Sequence, residues 1–230
     1  MALVPDGPGT GPDSGPDTGR WSMALFNSDG SRAELSGNGL RGVGQALARH
    51  VGQDGACDFE VDTDAGLRRV EVLDQSGVDA RVRVHMGYAR PGPPLFSGWE
   101  ALGVKTLREA GVDVGNPHLV ALVADLDAHD LATAGPAVEA SYPAGVNVHL
   151  ITIDSRQALQ LRVWERGAGI TQACGTGACA AVAAARAWGL VDDTVEVSMP
   201  GGEATVECSE DGELRLTGPV RWLANLETGD

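Results

Sequence analysis

The chain has 230 residues, 43% of them hydrophobic, so it can build one large core or two small ones. With 17 basic residues against 32 acidic ones and a net charge of −15, it has no basic block to track phosphates, which argues against nucleic acid as a partner. The longest apolar run, Ala178 to Ala185, falls far short of the ~20 residues that cross a bilayer, and no charged-then-apolar leader pattern opens the chain. Cys57, Cys174, Cys179 and Cys208 have neither zinc-site spacing nor disulfide density. These features predict a soluble cytoplasmic protein with reduced thiols and no membrane partner.

Residues 1–20, rich in Gly, Pro and Asp, read as a disordered arm or loose loop, with order beginning at Trp21. Trp21 to Phe26 is a short apolar strand, followed by the turn Asn27-Ser28-Asp29-Gly30. Leu40, Val43 and Leu47 fall on one face of a helix that follows Ser36. Gly42 and Gly44 each cost about 1 kcal/mol in a helix interior, so close packing against them is expected. Arg68 to Val72 and Arg81 to His85 alternate as half-buried strands. Pro91, Pro93 and Pro94 mark a domain boundary. Trp99 to Ala110 reads as a helix. Val112 to Val123 reads as strand material around the turn Gly115-Asn116-Pro117-His118. Val146 to Ile153, Leu159 to Glu165, Val195 to Val197, Ala204 to Cys208 and Leu214 to Leu216 are further strands.

The stretch from Trp164 to Ala181 organises the rest. A strand leads into glycines, then Cys174, then an apolar helix that must be buried. The amides of Gly175, Thr176 and Gly177 would be unpaired first-turn donors, able to hold a carboxylate. The same dipole is expected to lower the Cys174 thiol pKa from about 8.5 into the range of roughly 3.5–7.5. The segment from Phe26 to Leu40 repeats the layout, with Ser36-Gly37-Asn38-Gly39 standing where Cys174-Gly175-Thr176-Gly177 stands. Two similar halves facing each other would place Ser36 and Cys174 on opposite sides of one α-carbon. Cys179 and Cys208 read as core, Cys57 as incidental, and His50, His129 and His149 as surface or core residues. Ser36 also suits a helix N-cap.

From about Trp21 onward the chain resembles the diaminopimelate epimerases, PLP-independent enzymes of lysine and peptidoglycan precursor synthesis. The matching pieces are Phe26 to Ser31, Ser36 to Arg41, Met86-Gly87, Gly115 to His118, Glu165 to Gly169, Ala173 to Ala181 and Pro200 to Gly202. The resemblance implies an α+β fold of two pseudo-symmetric halves, each a barrel-like mixed sheet wrapped around a central helix, with the first half incomplete. Residues 21–97 with 222–230 would form that first half and 98–221 the second, after the arm at 1–20. It implies a homodimer acting on a small amino-acid substrate, LL- or meso-diaminopimelate, with neither cofactor nor metal.

By the same resemblance, a thiolate takes the α-proton on one face and a second group returns one on the other. Cys174 is one base, and Glu165 and His118 tune or orient the bases. Gly37, Asn38, Gly175 and Thr176 hold the α-carboxylate and α-amino end. Asn27, Asn116, Asn147 and Arg166 recognise the substrate, Arg166 through the distal carboxylate. The chain departs from the pattern at Ser36, where the family has its other cysteine and where a hydroxyl is a poor replacement for a thiolate. The family's opening His-Gly-x-Gly-Asn-Asp-Phe strand is also missing. A truncated or mis-started chain is expected rather than a degenerate relative, because residues 1–20 have the composition of an internal loop. A related racemase with another substrate, or a silent carboxylate-binding relative, is the alternative.

Overall fold

Alternation of buried and exposed side chains builds the sheet. In Asp79–Tyr88, Ala80, Val82, Val84 and Met86 point into the core while the residues between them face outward. The computed structural model describes residues 2–5, 21–26, 30 and 32–225. The chain runs β1 (Ala2–Pro5), β2 (Trp21–Phe26), β3 (Arg32–Ala33), α1 (Gly37–His50), β4 (Cys57–Thr63), β5 (Gly66–Ser76) and β6 (Asp79–Tyr88). Next come β7 (Arg90–Pro91), a single 3-10 turn at Glu100–Leu102, β8 (Thr106–Asp113), β9 (Pro117–Val123) and α2 (Leu131–Glu139). It ends with β10 (Asn147–Ser155), β11 (Ala158–Glu165), β12 (Gly169–Thr171), α3 (Gly175–Ala187), β13 (Thr194–Met199), β14 (Gly202–Cys208) and β15 (Glu213–Arg221).

The strands join in the order β1-β2-β4-β5-β6-β15-β14-β13-β11-β10-β9-β8-β7, with β3 on β2 and β12 on β11. Read outward from the β6–β15 seam, the two arms match in order and direction. β2–β4 and β11–β13 are both parallel. The pairs β4–β5 and β13–β14, β5–β6 and β14–β15, and β1–β2 and β10–β11 are all antiparallel. β8 and β9 have no counterpart beyond β1 among the described residues. The fold is therefore α+β with two similar halves, one of them shorter, as the resemblance implied.

Each half packs a helix against its sheet. α1 lies on β4, β5, β6 and β15, burying Leu40, Val43 and Leu47. α3 lies against β8, β9, β10, β11, β14 and β15, and is buried almost throughout from Gly175 to Ala185. No described helix is long and apolar enough to cross a membrane.

Several expectations are corrected. Ala2–Pro5 is a strand on β2, so the loose arm expected over 1–20 is not loose there; the turn residues Asn27, Ser28 and Asp29 lie outside the described residues. The helix expected over Trp99 to Ala110 is one 3-10 turn stopped by Gly103 at φ +73°, and Thr106–Asp113 instead pairs along β9. That long-range pairing overrides local helix propensity. α2 was not foreseen because Gly135 and Pro136 sit inside it. Gly135 is needed there, since a Cβ would stand 2.5 Å from the Trp164 ring.

The two helical glycines of α1 differ. A Cβ at Gly44 would stand 2.6 Å from Val70 Cγ1 and 3.1 Å from Val82 Cγ1, whereas one at Gly42 meets nothing within 4 Å. The expected close packing holds at Gly44 alone. Gly42→Ala is expected to stabilise the protein by about 0.5–1 kcal/mol. Gly44→Ala is expected to destabilise it by about 1–3 kcal/mol through overpacking, both read from urea denaturation midpoints.

Candidate active site

Ser36 and Cys174 are structurally equivalent. Each is the N-cap of its helix in extended conformation, Ser36 at φ −137°, ψ 112° and Cys174 at φ −132°, ψ 112°. The Ser36 Oγ accepts the Gly39 amide at 3.0 Å, and the Cys174 Sγ accepts the Gly177 amide at 3.3 Å. In each helix this uses the third amide and leaves the first two, Gly37 and Asn38 in α1, Gly175 and Thr176 in α3, without an intrahelical acceptor.

The two helix starts touch. A Cβ at Gly175 would lie 3.0 Å from Gly37 Cα, 3.1 Å from the Asn38 amide nitrogen and 2.7 Å from Leu216 Cδ2. A Cβ at Gly37 would meet the same leucine at 2.7 Å. Only glycine at both positions allows this approach, which brings two positive dipole ends to one point.

That point opens into a cavity of about 170 Å³ shared by Ser36 and Cys174. Gly37, Asn38, Gly175 and Thr176 line it, as do Asn116, Asn147, Glu165 and Arg166. A roomier cleft of about 490 Å³ lies beside Arg68, His85, Tyr88 and Asp113. It holds no thiol and no helix N-terminus, so the chemistry favours the smaller cavity. Asn27 lies outside the described residues. His118 does not line the cavity: it is fully buried and reaches it through Asn116, whose Oδ1 is 2.8 Å from His118 Nε2.

Several polar side chains here are committed to holding loops together. Asn38 Nδ2 donates to the Ala173 carbonyl at 3.0 Å, tying the first loop to the second. The buried Arg41 guanidinium donates to Asn38 Oδ1 at 2.7 Å and to the Pro219 carbonyl at 3.2 Å. Asn147 donates to the Pro117 carbonyl at 2.9 Å and accepts the Arg166 amide at 3.0 Å. Glu165 Oε1 accepts the Thr171 hydroxyl at 2.5 Å.

Sequence reasoning missed two residues. Glu34 lines the cavity and pairs with Arg166, Oε2 to Nη2, at 2.7 Å. His149 lies fully buried with its Nε2 2.7 Å from His118 Nδ1. Alternation along β10 was the available signal for His149, since it points to the same face as Asn147.

The expected low thiol pKa is also corrected. Burial first, and the negative charge of Glu165 second, push the Cys174 thiol up to about 12. The Thr176 hydroxyl and the Gly177 amide pull the other way without winning. Burial likewise lowers His149 to about 3 and His118 well below the usual imidazole range, so both rings are neutral at physiological pH. Cys57, Cys174, Cys179 and Cys208 are all free thiols, and Cys179 and Cys208 are buried as expected of core residues.

The geometry suits removal of a proton next to a carboxylate. Ser36 and Cys174 line one cavity together with the first two residues of each helix, whose amides have no intrahelical acceptor. The comparisons agree. Residues 111–223 match the diaminopimelate epimerase family. The diaminopimelate epimerase of Geobacillus thermodenitrificans is 38% identical over 214 residues, covering 86% of this chain and 73% of that protein. That of Corynebacterium aurimucosum is 42% identical over 216 residues, covering 90% and 75%. A solved structure from Pseudomonas aeruginosa, described as a predicted epimerase, superimposes with a TM-score of 0.69 at 19% identity, covering 93% of this chain and 82% of that one. With those identities over three quarters of the relatives' length, this chain belongs to the diaminopimelate epimerase family.

Proposed function

We propose that the chain is an amino-acid epimerase that interconverts LL- and meso-diaminopimelate by moving a proton at one α-carbon. The observation that carries this is the shared cavity of Ser36 and Cys174 over the abutting starts of α1 and α3. The substrate α-carboxylate sits on the free amides of Gly37, Asn38, Gly175 and Thr176. These donors also take up the negative charge that develops on that carboxylate as the α-proton leaves. The Cys174 thiolate takes the proton, so one C–H bond breaks, one S–H bond forms, and the electron pair stays on the α-carbon. Asn116 and Asn147 border the substrate. Arg166 recognises its distal carboxylate, for which a guanidinium fork is suited. Glu165 and His118 act as orienting groups.

Ser36 limits the reaction. Its hydroxyl accepts the Gly39 amide, and among the described residues no base hydrogen-bonds to it. A serine without a neighbouring base is a weak acid and a weaker proton abstractor. The two faces of the α-carbon are therefore served unequally. The resemblance supports a homodimer working in the cytoplasm without cofactor or metal, checked by sedimentation velocity and by activity that survives chelation.

In D₂O, deuterium is expected to enter the α-position of the stereoisomer whose α-hydrogen faces Cys174, faster than that stereoisomer is inverted. Cys174→Ala should cut this exchange by roughly 10²–10⁴-fold, followed by proton NMR; undiminished exchange in that variant removes Cys174 from the role of base. Ser36→Cys should raise inversion at least about tenfold by restoring a second thiol.

The pH dependence follows from the thiol pKa of about 12. Below that value only a small fraction is thiolate, and the fraction grows as pH rises. Between about pH 6 and pH 8, kcat/KM should climb roughly tenfold per pH unit without levelling. A plateau beginning below pH 7 would contradict it.

A further inference from the structure

His149 carries nothing in the mechanism above, yet it is fully buried, and its imidazole lies against the first turn of α3. A Cβ at Gly177 would stand 2.5 Å from its Cε1. Its ring stacks on His118 with centroids 5.0 Å apart. Its Nδ1 is buried with no hydrogen-bond partner.

The proton positions can be worked out from the far end. In the form that abstracts a proton Cys174 is a thiolate, and a thiolate sulfur can only accept. The contact between Cys174 Sγ and Thr176 Oγ1 at 3.4 Å must then have the hydroxyl as donor. With its proton spent, the Thr176 oxygen accepts from Asn116 Nδ2, at 3.5 Å. The Asn116 carbonyl oxygen therefore faces His118, whose Nε2 must hold a proton. His118 is neutral, so its Nδ1 is bare and accepts from the Nε2–H of His149. The bare Nδ1 left on His149 is an unpaired acceptor. That is the cheaper kind of orphan, and it sits beside the positive end of α3.

We propose that His149 is a positioning residue for Cys174: its Nε2–H starts a one-way chain of donors through His118, Asn116 and Thr176 that keeps the Thr176 proton aimed at the sulfur. This rests on the reading of Cys174 as the proton-abstracting group. Without the His149 donor, His118 can move its proton to Nδ1, the Asn116 amide turns over, and Thr176 donates to Asn116 instead. The thiolate then loses a hydrogen bond. A chain of aligned donors strengthens each of its members, so the first link is felt at the last.

Other titratable and charged groups bear on the same sulfur and rings. Glu165 faces Cys174 from β11, and Cys179 lies one turn further along α3 with Arg41 of α1 beside it. Arg166 acts on His118. The comparison below holds all four constant.

The test is the pH profile of Cys174 alkylation by iodoacetamide, resolved by peptide mass spectrometry, in wild type, His149→Phe and His149→Gln. His149→Phe keeps the ring and removes the donor. It should slow Cys174 alkylation roughly three- to tenfold at pH 8 and move the profile to higher pH. His149→Gln keeps an N–H donor and should restore the wild-type profile. A His149→Phe profile that superimposes on wild type overturns the proposal, as does a glutamine variant no better than phenylalanine. Should His149→Phe fail to fold, ¹⁵N NMR of the wild-type rings decides. Both histidines should be Nε2–H tautomers from about pH 5 to pH 8, given their lowered pKa values; an Nδ1–H tautomer on His118 overturns the chain. Neither readout needs epimerase activity. Loss of the epimerase reading through the deuterium experiment would therefore be visible separately.

Discussion

The contact between Gly37 and Gly175 is the constraint on which the site depends. It sets how close two helix starts can come, and so fixes four unpaired amides around one point. Helix N-termini repel each other electrostatically, because each carries about half a positive charge. An anion between them removes that repulsion. A carboxylate seated there would be stabilised, and more so while it gains charge. The tie from Asn38 to the Ala173 carbonyl and the seating of both glycines on Leu216 keep the two starts together when nothing is bound.

Placing a thiol at such a point has two opposed effects. The Gly177 amide and the Thr176 hydroxyl favour the sulfur anion, while burial and the Glu165 carboxylate favour the neutral form. Burial wins here, so the neutral thiol predominates at physiological pH. The same burial empties both histidines of charge, so they act through where their protons sit and not through net charge.

Much of this was legible in the sequence because it is local. Apolar spacing gave α1 and α3, the paired Gly-x-Gly loops gave the two helix starts, and the family motifs gave the residues around the cavity. Whatever depended on distant partners was not legible. Thr106–Asp113 follows β9 rather than its own helical tendency. α2 is held by Trp164 covering Gly135, a contact between residues far apart in the chain. The direction of the Cys174 shift depends on burial, which no short motif reports. His149 was passed over as one histidine among several, since its meaning comes from His118 on the neighbouring strand.

The β6–β15 seam bears on how the molecule is made. Glu213 pairs with Tyr88, and Arg221 with Asp79, so β6 has no neighbour on that side until β15 arrives. Leu216, on which both glycines rest, belongs to that strand. During synthesis the first segment must wait on the ribosome with an open edge, and pairings of such long sequence separation form slowly. Gly37 and Gly175 consequently lack their Leu216 support until β15 has paired with β6, so the candidate pocket closes only after residue 221 has emerged.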